Sequence, residues 1–129
     1  VLSANVLLDE WLAWLRTLPE APAESISALG RIAAQLAVLR QLSIAVTARL
    51  ARGESPLTEA ALVKDLGTTL EQHIPDAIAR LLGARPDLQP PSALLRTLAV
   101  TAMMAPGYSL RGGTREILRG MIARGLGMR

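Results

Sequence analysis

Residues 24–52 read ESISALGRIAAQLAVLRQLSIAVTARLAR, a run with no proline and a single glycine, Gly30. Leu29, Ile32, Leu36, Leu39, Val46 and Leu50 recur in it at alternating steps of three and four, with Ser43 in register. That spacing lines one face of an α-helix, which at ~1.5 Å per residue would span roughly 40 Å. Val38, Leu42 and Ala45 form a second apolar strip behind the first. A helix apolar on two sides is expected between neighbours. Gly53 follows as the residue that lets the chain turn, and Ser55-Pro56 supplies an expected cap and a preset first turn for the next helix. The two helices should fold back on each other.

The rest of the chain keeps this period. Leu7, Leu8, Trp11, Leu12, Trp14, Leu15 and Leu18 share a face between Ser3, an expected cap, and Pro19, which stops the helix. Residues 19–23 form a short stiff loop. The third helical segment runs from Pro56 to about Leu82 with Val63, Leu66, Leu70, Ala77 and Leu81 on one face. Pro75 inside it removes an amide, and a kink is expected there. A loop follows over residues 83–91, then a helix from an expected cap at Ser92 to about Ala105, stopped by Pro106-Gly107. A last helix begins after Thr114, whose hydroxyl is placed to accept a first-turn amide, while Glu116 complements the positive helix end. No segment alternates as a strand does. An all-α fold, an up-and-down bundle of four to five helices in a single domain over residues 1–129, is the architecture that buries these stripes.

Composition narrows the chemistry. Half of the 129 residues are hydrophobic and 19% are charged, against roughly a quarter charged in an ordinary domain. So small a chain leaves apolar area uncovered, which suggests a partner surface. With no cysteine there is no disulfide, thiolate nucleophile or zinc knuckle, and one histidine excludes any site needing two. No metal site is expected. The longest uncharged stretch, residues 97–110, is too short to cross a bilayer, so no membrane span is expected. The chain opens at Val1 with no secretory pattern. A cytoplasmic protein is expected, present here as a fragment or the C-terminal part of a longer one. The net charge of +3 is uneven: Tyr108 to Arg129 holds five arginines and one glutamate, and the remainder is close to neutral. Nucleic-acid binding would want aromatics among those arginines, and only Tyr108 is there. No nucleic-acid partner is expected.

Among individual residues, His73 falls on the apolar side of its helix and reads as a boundary or core residue. Asp9, Glu10, Glu71 and Asp76 read as solvated carboxylates on polar faces. Arg111, Arg115 and Arg119 recur every four residues, either as a clamp for phosphates or as a solvated edge on which Glu116 pairs with Arg119. Trp11 and Trp14 read as core or interface anchors.

The end of the chain is the distinctive part: Gly112-Gly113-Thr114-Arg115-Glu116-Ile117-Leu118-Arg119, then Ile122-Ala123-Arg124-Gly125-Leu126-Gly127. Two glycines let a backbone approach a flat or charged ligand, and the following helix aims free amides at the same spot. The same residues also read as a tight turn with an ordinary cap. In its order and spacing the segment resembles the C-terminal signature of the acyl-CoA dehydrogenases, with Gly113, Thr114, Glu116, Ile117, Arg119, Ile122, Ala123, Arg124, Leu126 and Gly127 in register.

The resemblance implies an FAD flavoprotein that oxidises an acyl-CoA thioester to its α,β-enoyl form, working as an oligomer of one or of mixed subunits. It implies flavin contacts for Gly113, Thr114 and Glu116. It gives Arg16 the place of the arginine in a motif that reaches flavin from a neighbouring subunit. The glutamate that serves as base in the best-known branch stands where this chain has Gly112, and the first-helix base of other branches would fall before Val1. The resemblance therefore assigns no catalytic residue to this chain.

Overall fold

The computed structural model describes residues 2–128, with side-chain surroundings from Ala4 onward. Among the described residues there are five α-helices and no strand: α1 (Leu2–Leu15), α2 (Ala23–Ala51), α3 (Leu57–Gly83), α4 (Ser92–Met104) and α5 (Arg115–Gly125). The all-α bundle expected from the periodicity is the fold. Between α4 and α5 the chain does not simply stop at Pro106-Gly107 but continues as a 3₁₀ turn over Ala105–Leu110. Proline has no amide to give and its φ suits the tighter turn, so it redirects the helix and does not end it.

The centre of the bundle is α3, which packs against each of the other helices and against the 3₁₀ turn. It runs as one helix through Pro75, which is itself buried. Around its second half Leu7, Trp11, Ile74, Ile78 and Leu94 are sealed from solvent, with Ala28 and Ile32 of α2 closing the cluster. Trp11 is fully buried, and Trp14 is close behind. Both tryptophans are therefore core residues.

The long helix is covered over only part of its length. Buried positions on α2 are Ser25, Ala28, Ile32 and Leu39, and none follows Leu39. Leu50, expected in the stripe, is exposed, and so is Val38 of the second strip. The neighbour expected behind α2 is absent from the described residues. By length and composition α2 is apolar enough to cross a membrane, its most apolar window averaging a hydropathy of 1.3, although Arg31, Arg40 and Arg49 interrupt the helix.

Helix ends depart from the expected caps in a consistent way. Pro22, Pro56 and Pro91 occupy the N-cap positions of α2, α3 and α4, and none of those helices has a side-chain cap hydrogen bond. Ser92 lies in the first turn of α4, Ser55 lies one residue before the cap, and α1 already begins at Leu2, so Ser3 is inside it. A proline before the first turn brings no orphan donor of its own, and it displaces the serine from the geometry in which a hydroxyl reaches the N2 or N3 amide. C-termini match expectation better. Gly53 sits at φ 78°, with its N–H on Leu50 O at 2.9 Å and Glu54 N–H on Arg49 O at 3.1 Å. This is the Schellman arrangement, repeated at Gly127 after α5. The Arg49 guanidinium then binds Glu54 at 2.7 Å and also Glu59, which stitches the end of α2 to the start of α3.

Candidate functional site

The two glycines of the C-terminal motif are required by backbone conformation. Gly112 has φ 71° and Gly113 φ 110°, a region that side chains resist. A Cβ on either would meet only ordinary contacts, Lys64 Cε at 3.8 Å and Leu118 Cδ2 at 3.8 Å. The turn is therefore sharp without being crowded, and Gly112 faces solvent. Thr114 follows with an extended backbone and opens α5.

Thr114 does not cap α5 as expected, for its hydroxyl makes no bond to a first-turn amide. Glu116 occupies that place. Its carboxyl is held below the ordinary carboxylate value by its own backbone N–H first and by the Thr114 hydroxyl second, with Arg119 and Arg115 adding charge. A carboxylate over the first turn of a helix satisfies an orphan amide and meets the positive end of the macrodipole. The expected pairing of Glu116 with Arg119 is secondary, because Arg119 reaches across to α3.

That reach is the organising feature of the corner. Asp65 of α3, almost fully buried, places Oδ2 3.4 Å from Arg119 Nε and Oδ1 3.5 Å from Arg115 Nε. Arg115 Nη2 also donates to Thr69 Oγ1, and the Thr69 hydroxyl in turn donates to Asp65 O at 2.8 Å. Arg111 lies elsewhere, its Cζ 4.7 Å from the centroid of the buried Tyr108 ring. Of the three arginines spaced by four, two are therefore anchored to α3 and one is stacked, and none is simply a solvated edge.

Gly112 beside Lys64, Arg119 beside Asp65 and Gly125 against Thr58 show that α5 runs antiparallel to α3. Arg16 is not part of this corner. It is exposed after the end of α1, and its chain leads into α2, whose start lines one groove together with Ala84 beyond the end of α3. Lys64 and Ala84 are separated by about 30 Å at 1.5 Å per residue. Within one chain the turn and Arg16 lie at opposite ends of α3.

Other readings change too. His73 is exposed, not a core residue, and lies along a groove of about 550 Å³ between α2 and α3 walled by Val38, Leu39, Leu66 and Leu70. Glu71, read as solvated, is buried at 5% exposure. Its helix is covered on more sides than one apolar stripe implies. Asp76 is exposed and pairs with Arg80, as a polar face predicts.

Asp65 and Thr69 escaped the sequence reading. The signal was there as two patterns of step four, Asp65/Thr69 and Arg115/Arg119, but only an antiparallel docking of α5 on α3 matches one to the other.

The corner carries Lys64, Arg115 and Arg119 against Asp65 and Glu116, with Arg111 stacked on Tyr108 just before the turn. The open glycine turn with its adjoining cations has the chemistry to meet an anionic group, while the Glu116 carboxylate already covers the first turn of α5 and Arg115 and Arg119 are engaged by Asp65. Among the described residues no group of three or more His, Asp or Glu side chains could hold a metal. No curated protein and no solved structure matches the chain. The family model for the acyl-CoA dehydrogenase C-terminal domain matches residues 3–127, from the first turn of α1 through the glycine turn to the end of α5. On that match the chain belongs to the acyl-CoA dehydrogenase C-terminal domain family.

Proposed function

We propose that this chain is the C-terminal helical domain of an FAD-dependent acyl-CoA dehydrogenase-like protein, in which it supplies subunit contacts and one wall of the flavin site. The observation that carries the reading is the open, net-positive turn at Gly112-Gly113-Thr114, lying within a family match that spans nearly the whole chain. Gly113, Thr114 and Glu116, at the start of α5, would lie against the cofactor. When bound, the flavin takes a hydride from the thioester while a base takes the α-proton. Gly112 stands at the base's position and has no group to accept a proton, so this domain binds and orients without performing that step. The turn lies on an open surface, so the remaining walls of a cofactor site would come from the rest of a longer protein or from another subunit. Arg16, at the far end, would serve a neighbour's site. The parent would act on acyl-CoA in the cytoplasm, as an assembly of like or mixed subunits whose contacts use the exposed apolar residues of α2 and α3.

The test is the protein expressed from its complete reading frame. Bound flavin absorbance is expected, and Gly113→Val is expected to abolish it while leaving the helical circular dichroism unchanged. A colourless wild-type protein that stays colourless with added FAD sinks the flavin reading. The second reading, a non-catalytic oligomerisation module or a degenerate subunit, is favoured by Gly112 itself. It predicts stable association with no thioester oxidation in the presence of an artificial electron acceptor.

A further inference from the structure

The glycine turn is only as well placed as α5, which packs on α3 through one buried leucine and a half-buried apolar flank. Leu118 is its one fully buried residue and Met121, Ile122 and Ala123 are half-buried, whereas Ile117 and, just beyond the helix, Leu126 are exposed. Apolar burial of this kind is non-directional and does not by itself fix the helix in one register on α3. Two other contacts do. At the C-terminal end Gly125 lies so close to Thr58 that a Cβ there would fall 1.9 Å from its Oγ1. At the N-terminal end, next to the turn, there is the Asp65 cluster.

We propose that Asp65 is the positioning residue of the cofactor-facing turn: its buried carboxylate, shared between Arg115 and Arg119, holds the first turns of α5 on α3 and so sets where Gly112 and Gly113 stand. The geometry suits that task. The two carboxylate oxygens are divided between two arginines one helical turn apart, which fixes both the rotation of α5 and its displacement along α3. Thr69 adds a second point of attachment. Its proton is committed to Asp65 O, so its lone pairs face Arg115. Asp65 is almost fully buried while Arg119 stays largely in water, so only one partner of that pair is taken out of solvent. The cofactor role of the turn rests on the functional reading above; the positioning of α5 does not.

Backbone amide exchange read by mass spectrometry on the full chain separates the two. In Asp65→Asn, exchange over residues 115–125 should be about tenfold faster, with the amides of α1 and of the second half of α3 unchanged. Asp65→Glu, which keeps the charge, should recover part of the protection. Because Asp65→Asn could weaken α3 itself, Arg115→Gln/Arg119→Gln provides the same test from the surface of α5 and should give the same local acceleration. Unchanged exchange in α5 for the double arginine variant overturns the proposal. So does Asp65→Asn accelerating all helices equally while the double arginine variant leaves α5 untouched. Flavin retention is read separately. A wild-type protein that never binds flavin removes the functional reading and leaves the exchange result standing, whereas flavin retained with unaltered α5 exchange in both variants removes Asp65 and leaves the functional reading.

Discussion

Gly125 and Gly113 illustrate two different reasons for the same residue. Gly113 is demanded by φ 110°, whereas Gly125 has ordinary helical geometry and is demanded by Thr58, whose Cβ, Cγ2 and Oγ1 all lie within 3 Å of where a Cβ would be. A β-branched threonine cannot turn all three atoms aside. Gly125→Ala should therefore cost about 1–3 kcal/mol in urea unfolding, the usual range for overpacking. Adding Thr58→Ala should recover much of that loss, since it removes the two nearest atoms. If the double variant is no more stable than Gly125→Ala alone, the close approach of α5 to α3 at this end is wrong.

At the scale of the element, α5 is held by charge at its start and by close packing at its end, so its first turn should respond to acid. Glu116 has its carboxyl lowered, chiefly by its own backbone N–H. A group lowered in the folded state contributes stability that is complete above its unfolded value, near 4.5, and is lost as pH falls through the folded value. Amide exchange in the first turn of α5, corrected for the intrinsic pH dependence of exchange, should accelerate below pH 4.5 and be level above it. Glu54 is lowered chiefly by Arg49 and Glu59 chiefly by its own backbone N–H, with Arg49 adding to it, so global unfolding will show an acid limb of mixed origin. The local readout separates them: Glu116→Gln should flatten the α5 profile and leave the acid limb of the α2–α3 junction in place. An α5 profile that keeps its shape in Glu116→Gln would assign the effect elsewhere.

Across the whole molecule the core is displaced to one end. Trp11, Leu7, Ile74, Ile78 and Leu94 seal the half formed by α1, α4, the start of α2 and the end of α3. Beyond Leu39, α2 has no buried residue, and the exposed Ile44 and Leu50 continue its apolar surface. Trp11→Ala should remove about 3–5 kcal/mol, measured from urea midpoints, because a fully buried indole leaves a large cavity that the helices cannot close. A loss under 1 kcal/mol would place the core elsewhere.

Helix number, order and approximate bounds were legible in the chain because they rest on local physics: the period of Leu29 to Leu50, the prolines between helices and the glycines after them act over a few residues. The family, and the glycine turn as the candidate site, were legible because residues 112–127 carry their pattern in one continuous stretch. Caps were misread where a proline stood beside the serine, since two local preferences competed for one position. The burial of Glu71, the exposure of His73, the separation of Arg16 from the turn and the joining of Asp65 to Arg115 and Arg119 depended on which helices meet. These arrangements pair residues tens of positions apart in the chain. Periodicity assigns a residue to a face of its own helix; which neighbour covers that face, and which charge it brings, is decided by how the other four helices and the 3₁₀ turn divide the surface of α3.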